Sequence, residues 1–286
     1  MTTSYSKPFV DQPIDDHAPD LYRPDALAKA WPGLAAVDDD AVAFYREHGY
    51  LAVENVVSPE RVAEVIDALQ RLIASANPSA VQPEARAKDS FDQLALEQKQ
   101  DAVRKLWNIC RFEPVLDAFS REPVIVDTVQ RLMGRAPVLF QDMAMLKPPR
   151  QGREKPWHQD HAYFDFPIGT PVVGVWIALD RATTENGCMH LLDGGHRDGP
   201  AVHFQRRDWQ LCDTDILARR RPCVAAPLNP GGVLFFDGLL PHGTPANRSD
   251  LRRRAVQFHF GPADAVKCSS AERLKHFGSE GKNVQC

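Results

Sequence analysis

Apolar residues recur at helical spacing before residue 134 and mostly at strand spacing after it. Val62, Val65, Ile66, Leu69, Leu72 and Ile73 follow Ser58-Pro59, a hydroxyl N-cap ahead of a proline suited to the first helical position. This spacing predicts a helix with one buried face. A second helix is predicted from Pro123, with Val124, Val126, Val129, Leu132 and Met133 apolar and Gly134 as its stop. Upstream, Asp38-Asp39-Asp40 opens a short helix through Phe44 and Tyr45, its acids suited to the positive helix end. Gly49 ends it, and 50–56 reads as a strand. Residues 1–37 lack periodic apolar positions and read as a poorly structured arm. Residues 76–105 are polar and read as a loop plus a surface helix, serving either as plain surface or as a lid over a site.

Beyond Gly134, short apolar or alternating runs at 138–146, 171–179, 188–192, 232–236 and 253–260 are separated by Pro- and Gly-rich turns. Short strands broken by turn signals predict a β-sandwich or barrel. The expected organisation is the arm, then one domain over 38–286: a helical part over 38–134, a β core over about 135–262 and a tail over 263–286. The 286 residues carry 34 Lys plus Arg against 38 Asp plus Glu, a net charge of −4, which gives no electrostatic reason to expect a nucleic-acid partner. No apolar run approaches the ~20 residues of a membrane helix, and the N-terminus has neither signal-peptide nor transit character. The 6 cysteines form no close pairs and read as reduced thiols. A cytoplasmic location follows as the expectation.

Of 10 histidines, most fall between His158 and His259. In a strand, residues two apart share a face, so His158 and Asp160 of Trp157-His158-Gln159-Asp160 are a candidate metal pair. Non-haem iron chemistry needs a second histidine, and His242, after the strand at 232–236, is the candidate. A His-x-Asp triplet is a weak signal, expected roughly once by chance in such a composition. A second one, His196-Arg197-Asp198, sits between glycines in a turn and is set aside. His161 points to the face opposite His158 and is not expected to bind metal.

Parity also sorts the arginine run 252–254. Arg253 shares a face with Ala255, Gln257 and His259, small or polar like a site lining, whereas Arg254 sides with Val256, Phe258 and Phe260. A guanidinium on the polar face is suited to clamping a carboxylate through two parallel hydrogen bonds. In 171–179 the apolar face is Val173, Val175, Ile177 and Leu179; Trp176 lies opposite between Gly174 and Ala178, as a pocket wall or a core aromatic. Lys147, Arg150, Arg153 and Lys155 precede the metal motif, either as a solvated basic loop or as an attractor for an anionic substrate.

Together, Trp157-His158-Gln159-Asp160, Trp176 in its 174–179 setting, Glu185-Asn186-Gly187-Cys188-Met189, Gly194-Gly195-His196 and His242-Gly243-Thr244 through Arg253 resemble the phytanoyl-CoA dioxygenase family. The 44–66 segment resembles that family's N-terminal portion, so the resemblance spans roughly 40–262. It implies a double-stranded β-helix (jelly roll, cupin-like) with N-terminal helices packed on one sheet. It also implies Fe(II), with 2-oxoglutarate and O2 as cosubstrates, and a small-molecule substrate hydroxylated with release of succinate and CO2. His158, Asp160 and His242 match the iron ligands, Arg253 and Thr244 the partners of the distal 2-oxoglutarate carboxylate, and Trp176 a pocket residue. Gln141, on the strand before the motif, is a further candidate for cosubstrate contact, and His196 is assigned no catalytic role. Related halogenating enzymes lack the carboxylate that Asp160 supplies, which favours hydroxylation. Two alternatives stay open: a jelly-roll metalloenzyme independent of 2-oxoglutarate, and a non-catalytic binding protein on the same scaffold. Substrate identity is not legible, because fold and metal site do not determine it.

Overall fold

The computed structural model describes residues 17–84, 87–218 and 220–280; residues 1–16 of the expected arm, and Cys286, lie outside them. The predicted helix starts are observed. Asp38 caps Asp39–His48 through the Ala41 amide, and Ser58 caps Pro59–Ala74 through that of Arg61. Gly49 (φ 79°) and Gly134 (φ 73°) end Asp39–His48 and Pro123–Met133 in the left-handed region, where an L side chain is strained. In the last helix the buried face is Ile125, Thr128, Val129 and Leu132, while Val124, expected inside, is exposed.

Two sheets face each other. The larger runs Ala30–Trp31, Tyr50–Val53, Val233–Asp237, Val173–Ala178, Arg253–Pro262, Pro137–Lys147, Val103–Trp107, Val81–Pro83. The smaller runs Ala26–Leu27, Cys223–Ala226, Met189–Leu192, His242–Thr244, Lys155–His158. From Pro137 onward the chain passes repeatedly from one sheet to the other, which is the winding of a double-stranded β-helix. The parity reading holds. Val173, Val175, Ile177, Val256, Phe258 and Phe260 meet the helices on the outer face of the large sheet, in one core with Val65, Leu69, Phe119 and Val129. Trp176, Ala178, Leu234, Phe236 and Ala255 form the inner face and meet Met189, Leu191, Val224 and Ala226 of the small sheet. The site lies on this inner face.

Two expectations are corrected and a third is filled in. Residues 17–37 are not loose: Ala26–Leu27 pairs with Cys223–Ala226 and Ala30–Trp31 with Tyr50–Val53, both in parallel. Strands of two residues are fixed by backbone pairing, which leaves no hydrophobic period to read. Residues 76–105 include a helix, Leu96–Ala102, but then enter Val103–Trp107, which pairs with Pro137–Lys147 near the sheet edge. The expected tail contains the capped helix Ser270–Phe277, whose Phe277 is buried.

Gly174 leaves room for the ring of Phe236: a Cβ there would stand 2.4 Å from the Phe236 ring. Gly174→Ala is expected to destabilise the protein by about 1–3 kcal/mol through overpacking. Urea unfolding of the two proteins measures the difference, and an unchanged midpoint would contradict the tight fit.

Candidate metal centre and cosubstrate cradle

His242 lies directly opposite His158 in the antiparallel pairing of the small sheet, so both imidazoles leave the same face. Their ring centroids are 4.3 Å apart. The Nδ1 of each ring bonds a backbone carbonyl two residues upstream, Pro156 at 2.8 Å and Leu240 at 2.9 Å. A carbonyl only accepts, so each ring carries its proton on Nδ1 and turns the Nε2 lone pair inward.

Asp160 faces those lone pairs. It is not on the strand, as strand alternation suggested: the strand ends at His158, and Asp160 opens a 3-10 turn, Asp160–Tyr163. The carboxylate is 3.3 Å from His158 Nε2 through Oδ1 and 3.6 Å from His242 Nε2 through Oδ2. All three ligand atoms lie within 4.8 Å of one another, and each residue is at most 4% exposed. Two unprotonated nitrogens and a carboxylate pointed at a common centre repel unless a cation stands between them. The donor set therefore fits a divalent ion, and two imidazoles with one carboxylate suit Fe(II). Burial pushes His158 down to about 3 and lowers His242 as well, keeping both neutral as ligands must be. Burial opposes ionisation of Asp160, but its contacts with the surrounding histidines outweigh it and hold the carboxyl well below its usual range.

The large sheet supplies the opposite wall. Arg253, 1% exposed, lies on the inner face with its guanidinium 5.5 Å from the Trp176 ring centroid. Its Nε and Nη1, the Trp176 Nε1 and both amide atoms of Gln141 are buried without a hydrogen-bond partner among the described residues. Each such group costs about 1–3 kcal/mol unless a ligand satisfies it. Burial pulls Arg253 down to about 10, so it remains a cation awaiting an anion. Thr244 is buried on the strand beside His242. These residues fit a small dicarboxylic keto acid between the ion and Arg253.

The remaining candidates fall elsewhere. Asp198 pairs with Arg221 and His196 contacts the Arg46 carbonyl, so that triplet is a surface turn. His161 contacts the Phe166 carbonyl and stacks on Phe277, outside the metal cluster. Most of the basic loop is engaged within the protein. Lys147 is buried against the carbonyls of Arg153, Thr244 and Pro245, Arg150 pairs with Asp250, and Lys155 with Asp208 at 2.7 Å.

Three residues were given no role of their own from the sequence. Gln159 bolts the motif in place: its amide donates to the carbonyls of Gly199 and Leu239 and accepts from the Ala201 N–H. Gln257 and His259 both contact Asp160 Oδ2. Their shared face with Arg253 was the available signal.

A double-stranded β-helix with two histidines and an aspartate converging inside it defines the non-haem iron oxygenase class. Within that class, the chain belongs to the phytanoyl-CoA dioxygenase (PhyH) family, whose model matches residues 45–255. Among curated relatives, phytanoyl-CoA dioxygenase domain-containing protein 1 of Danio rerio is 27% identical over 266 residues, covering 79% of this chain and 90% of the relative. The ectoine dioxygenase of Sphingopyxis alaskensis is 25% identical over 240 residues, covering 78% and 75%. Among solved structures, EvdO2 from Micromonospora carbonacea complexed with 2-oxoglutarate superposes with a TM-score of 0.63 at 25% identity, over 85% of this chain and 97% of that one. The carbocyclase SnoK, at 22% identity, shares the fold with a TM-score of 0.66 over 83% and 89%. The chain is an Fe(II)- and 2-oxoglutarate-dependent dioxygenase by family.

Burial also holds His190 and His203 down to about 4, against an ordinary 6.5. With His158 held lower still, unfolding of the metal-free protein takes up protons between about pH 6.5 and 4. Stability is thus expected to fall as pH drops through that window, by up to about 1.4 kcal/mol per pH unit for each histidine. Thermal melts at stepped pH check this; a melting temperature that stays flat from pH 7 to 4 would contradict it.

Proposed function

We propose that this protein hydroxylates a C–H bond of a small-molecule substrate, coupled to oxidation of 2-oxoglutarate to succinate and CO2. His158, Asp160 and His242 would hold the iron, and Arg253, Thr244, Trp176 and Gln141 would receive the cosubstrate. The observation that carries the reading is the pairing of three inward lone-pair donors on one side of the β-helix interior with a buried, partner-seeking guanidinium on the inner face of the large sheet. Bound Fe(II) supplies the chemistry with O2. The protein's own residues do the rest. The two histidines and Asp160 would hold the ion with three donors, a number that leaves further coordination positions for cosubstrate and O2. Arg253 orients 2-oxoglutarate by its far carboxylate, which fixes which end reaches the metal. The apolar surroundings of Trp176 and Phe236 limit water where the reaction proceeds.

Curated relatives are named for phytanoyl-CoA and ectoine, which supports a small molecule as substrate and spans different chemistries. With Lys147, Arg150 and Lys155 engaged inside the protein, no charge is proposed for it. We place the protein in the cytoplasm: the described cysteines are free thiols, as a reducing compartment maintains. No described helix is long and apolar enough to cross a membrane.

Anaerobic protein loaded with Fe(II) and titrated with 2-oxoglutarate is expected to develop the weak visible charge-transfer band of a chelated keto acid. Asp160→Ala should abolish the band. Arg253→Ala should retain iron yet need roughly 30-fold more 2-oxoglutarate, the loss of about 2 kcal/mol for a buried charge pair. Metal binding without a band would favour a metalloenzyme independent of 2-oxoglutarate, and absence of metal binding a non-catalytic role.

A further inference from the structure

The ligand Asp160 is itself held from the far sheet. Its Oδ2 lies 2.6 Å from His259 Nε2 and 3.2 Å from Gln257 Nε2. The third side of this triangle, Gln257 Nε2 to His259 Nε2, is 3.0 Å. Proton placement follows from the surroundings. His259 is fully buried, with Phe164 edge-on at 4.9 Å and Phe140 and Phe236 at 6.2 Å. Its Nδ1 has no hydrogen-bond partner among the described residues. A proton on Nδ1 would be an unsatisfied donor among phenyl rings, so the proton sits on Nε2 and is donated to Asp160. The Gln257 amide must likewise turn its NH2 toward the carboxylate, because its oxygen would repel Oδ2 at that distance. The short nitrogen–nitrogen contact is then two donors converging on one oxygen.

We propose that His259, with Gln257, is a positioning residue that occupies Asp160 Oδ2 with two hydrogen bonds and leaves Oδ1 as the single oxygen offered to the metal. Oδ1 approaches His158 Nε2 at 3.3 Å, whereas Oδ2, 3.6 Å from His242 Nε2, is the oxygen the two donors occupy, so the clamp turns the carboxylate to leave Oδ1 free for the ion. Two donors on Oδ2 also draw charge from the carboxylate and moderate its hold on the ion. Restricting Asp160 to one oxygen keeps its second oxygen from taking a position the cosubstrate or O2 needs. The sheet geometry makes this direct: Arg253, Gln257 and His259 alternate along one face of one strand, so a single strand fixes both the carboxylate ligand and the cosubstrate arginine.

This inference rests on the iron reading above, and Co(II) alone serves as a probe that needs neither turnover nor substrate. Co(II) is titrated into wild type, Asp160→Ala, His259→Leu, His259→Gln and Gln257→Leu, following the visible d–d absorption, with circular dichroism to check the fold. Wild type is expected to bind and Asp160→Ala to lose the site. His259→Leu should bind about ten-fold more weakly or worse, with an altered d–d spectrum. His259→Gln, whose amide places an N–H near the position of Nε2, should recover affinity to within about three-fold of wild type and restore the spectrum. Wild-type affinity and spectrum in His259→Leu would overturn the proposal, as would equal losses in the Leu and Gln variants, which would mark a packing role. Should His259→Leu fail to fold, Gln257→Leu decides: weaker binding with a changed spectrum supports the clamp, and wild-type behaviour overturns it. If wild type binds no Co(II), or binding survives Asp160→Ala, the iron reading itself fails together with the clamp.

Discussion

Two imidazoles held opposite each other across a pair of short strands, both with the metal-facing nitrogen unprotonated, set the terms for everything around them. Strand pairing has a side-chain period of two, so a slip of one residue between Lys155–His158 and His242–Thr244 would turn one ring away from the other. Several features guard that register. Gly243 lies where a Cβ would meet the Trp157 backbone at 3.2 Å, so the strands approach more closely than a side chain would permit. Trp157, next to His158, is stacked under Tyr22 at 5.8 Å and donates its indole N–H to the Leu21 carbonyl at 3.2 Å. The segment that lacked any sequence period is thus a brace on the back of the metal strand. Gln159 fastens the same motif from its other side to Gly199, Ala201 and Leu239.

The two sheets divide the chemistry. The small sheet presents the histidines, the crossing turn presents Asp160, and the large sheet supplies Arg253, Trp176, Gln257 and His259. Such an arrangement is costly on its own. A guanidinium, an indole N–H and a primary amide buried without partners are each destabilising by about 1–3 kcal/mol. The opposing contribution comes from the other face of the same sheet, where the helices bury Leu69, Phe119, Val129 and Phe258. The helical layer is therefore no separate module: it stabilises the sheet whose inner face is left unsatisfied for ligands.

Much of this was legible in the sequence because it is written in local chemistry. Ser58, Gly49 and Gly134 announce helix ends by capping, and parity along Val173–Ala178 and Arg253–Pro262 separates the outer, helix-covered face from the inner face correctly. What escaped is what local pattern does not encode. The strands bearing His158 and His242 have only four and three residues, too few for a period. Val103–Trp107 carries Arg104 and Lys105, charges that disguise a strand as surface. The contacts of His259 and Gln257 to Asp160 join positions nearly one hundred residues apart, and residue type alone gave no reason to prefer them over ordinary polar lining.

The register of the large sheet also separates what the reaction needs from what surrounds it. Gln257 stands opposite Met143, which stands opposite Trp107, and Ala255 stands opposite Met145, which stands opposite Lys105. Moving outward along these rows, the residues pass from the carboxylate clamp to flexible thioethers. They then reach a half-buried indole that donates to Gln82 at 3.0 Å beneath the Lys105 ammonium. Methionine adapts to the shape beside it without demanding a partner, so the rows soften away from the metal. Changes on the outer strands leave the pairing of His158 with His242 untouched, because those residues belong to the other sheet. A scaffold built this way can alter its outer wall while its metal geometry stays fixed, a physical basis for one family carrying differently named dioxygenases on one iron-binding frame.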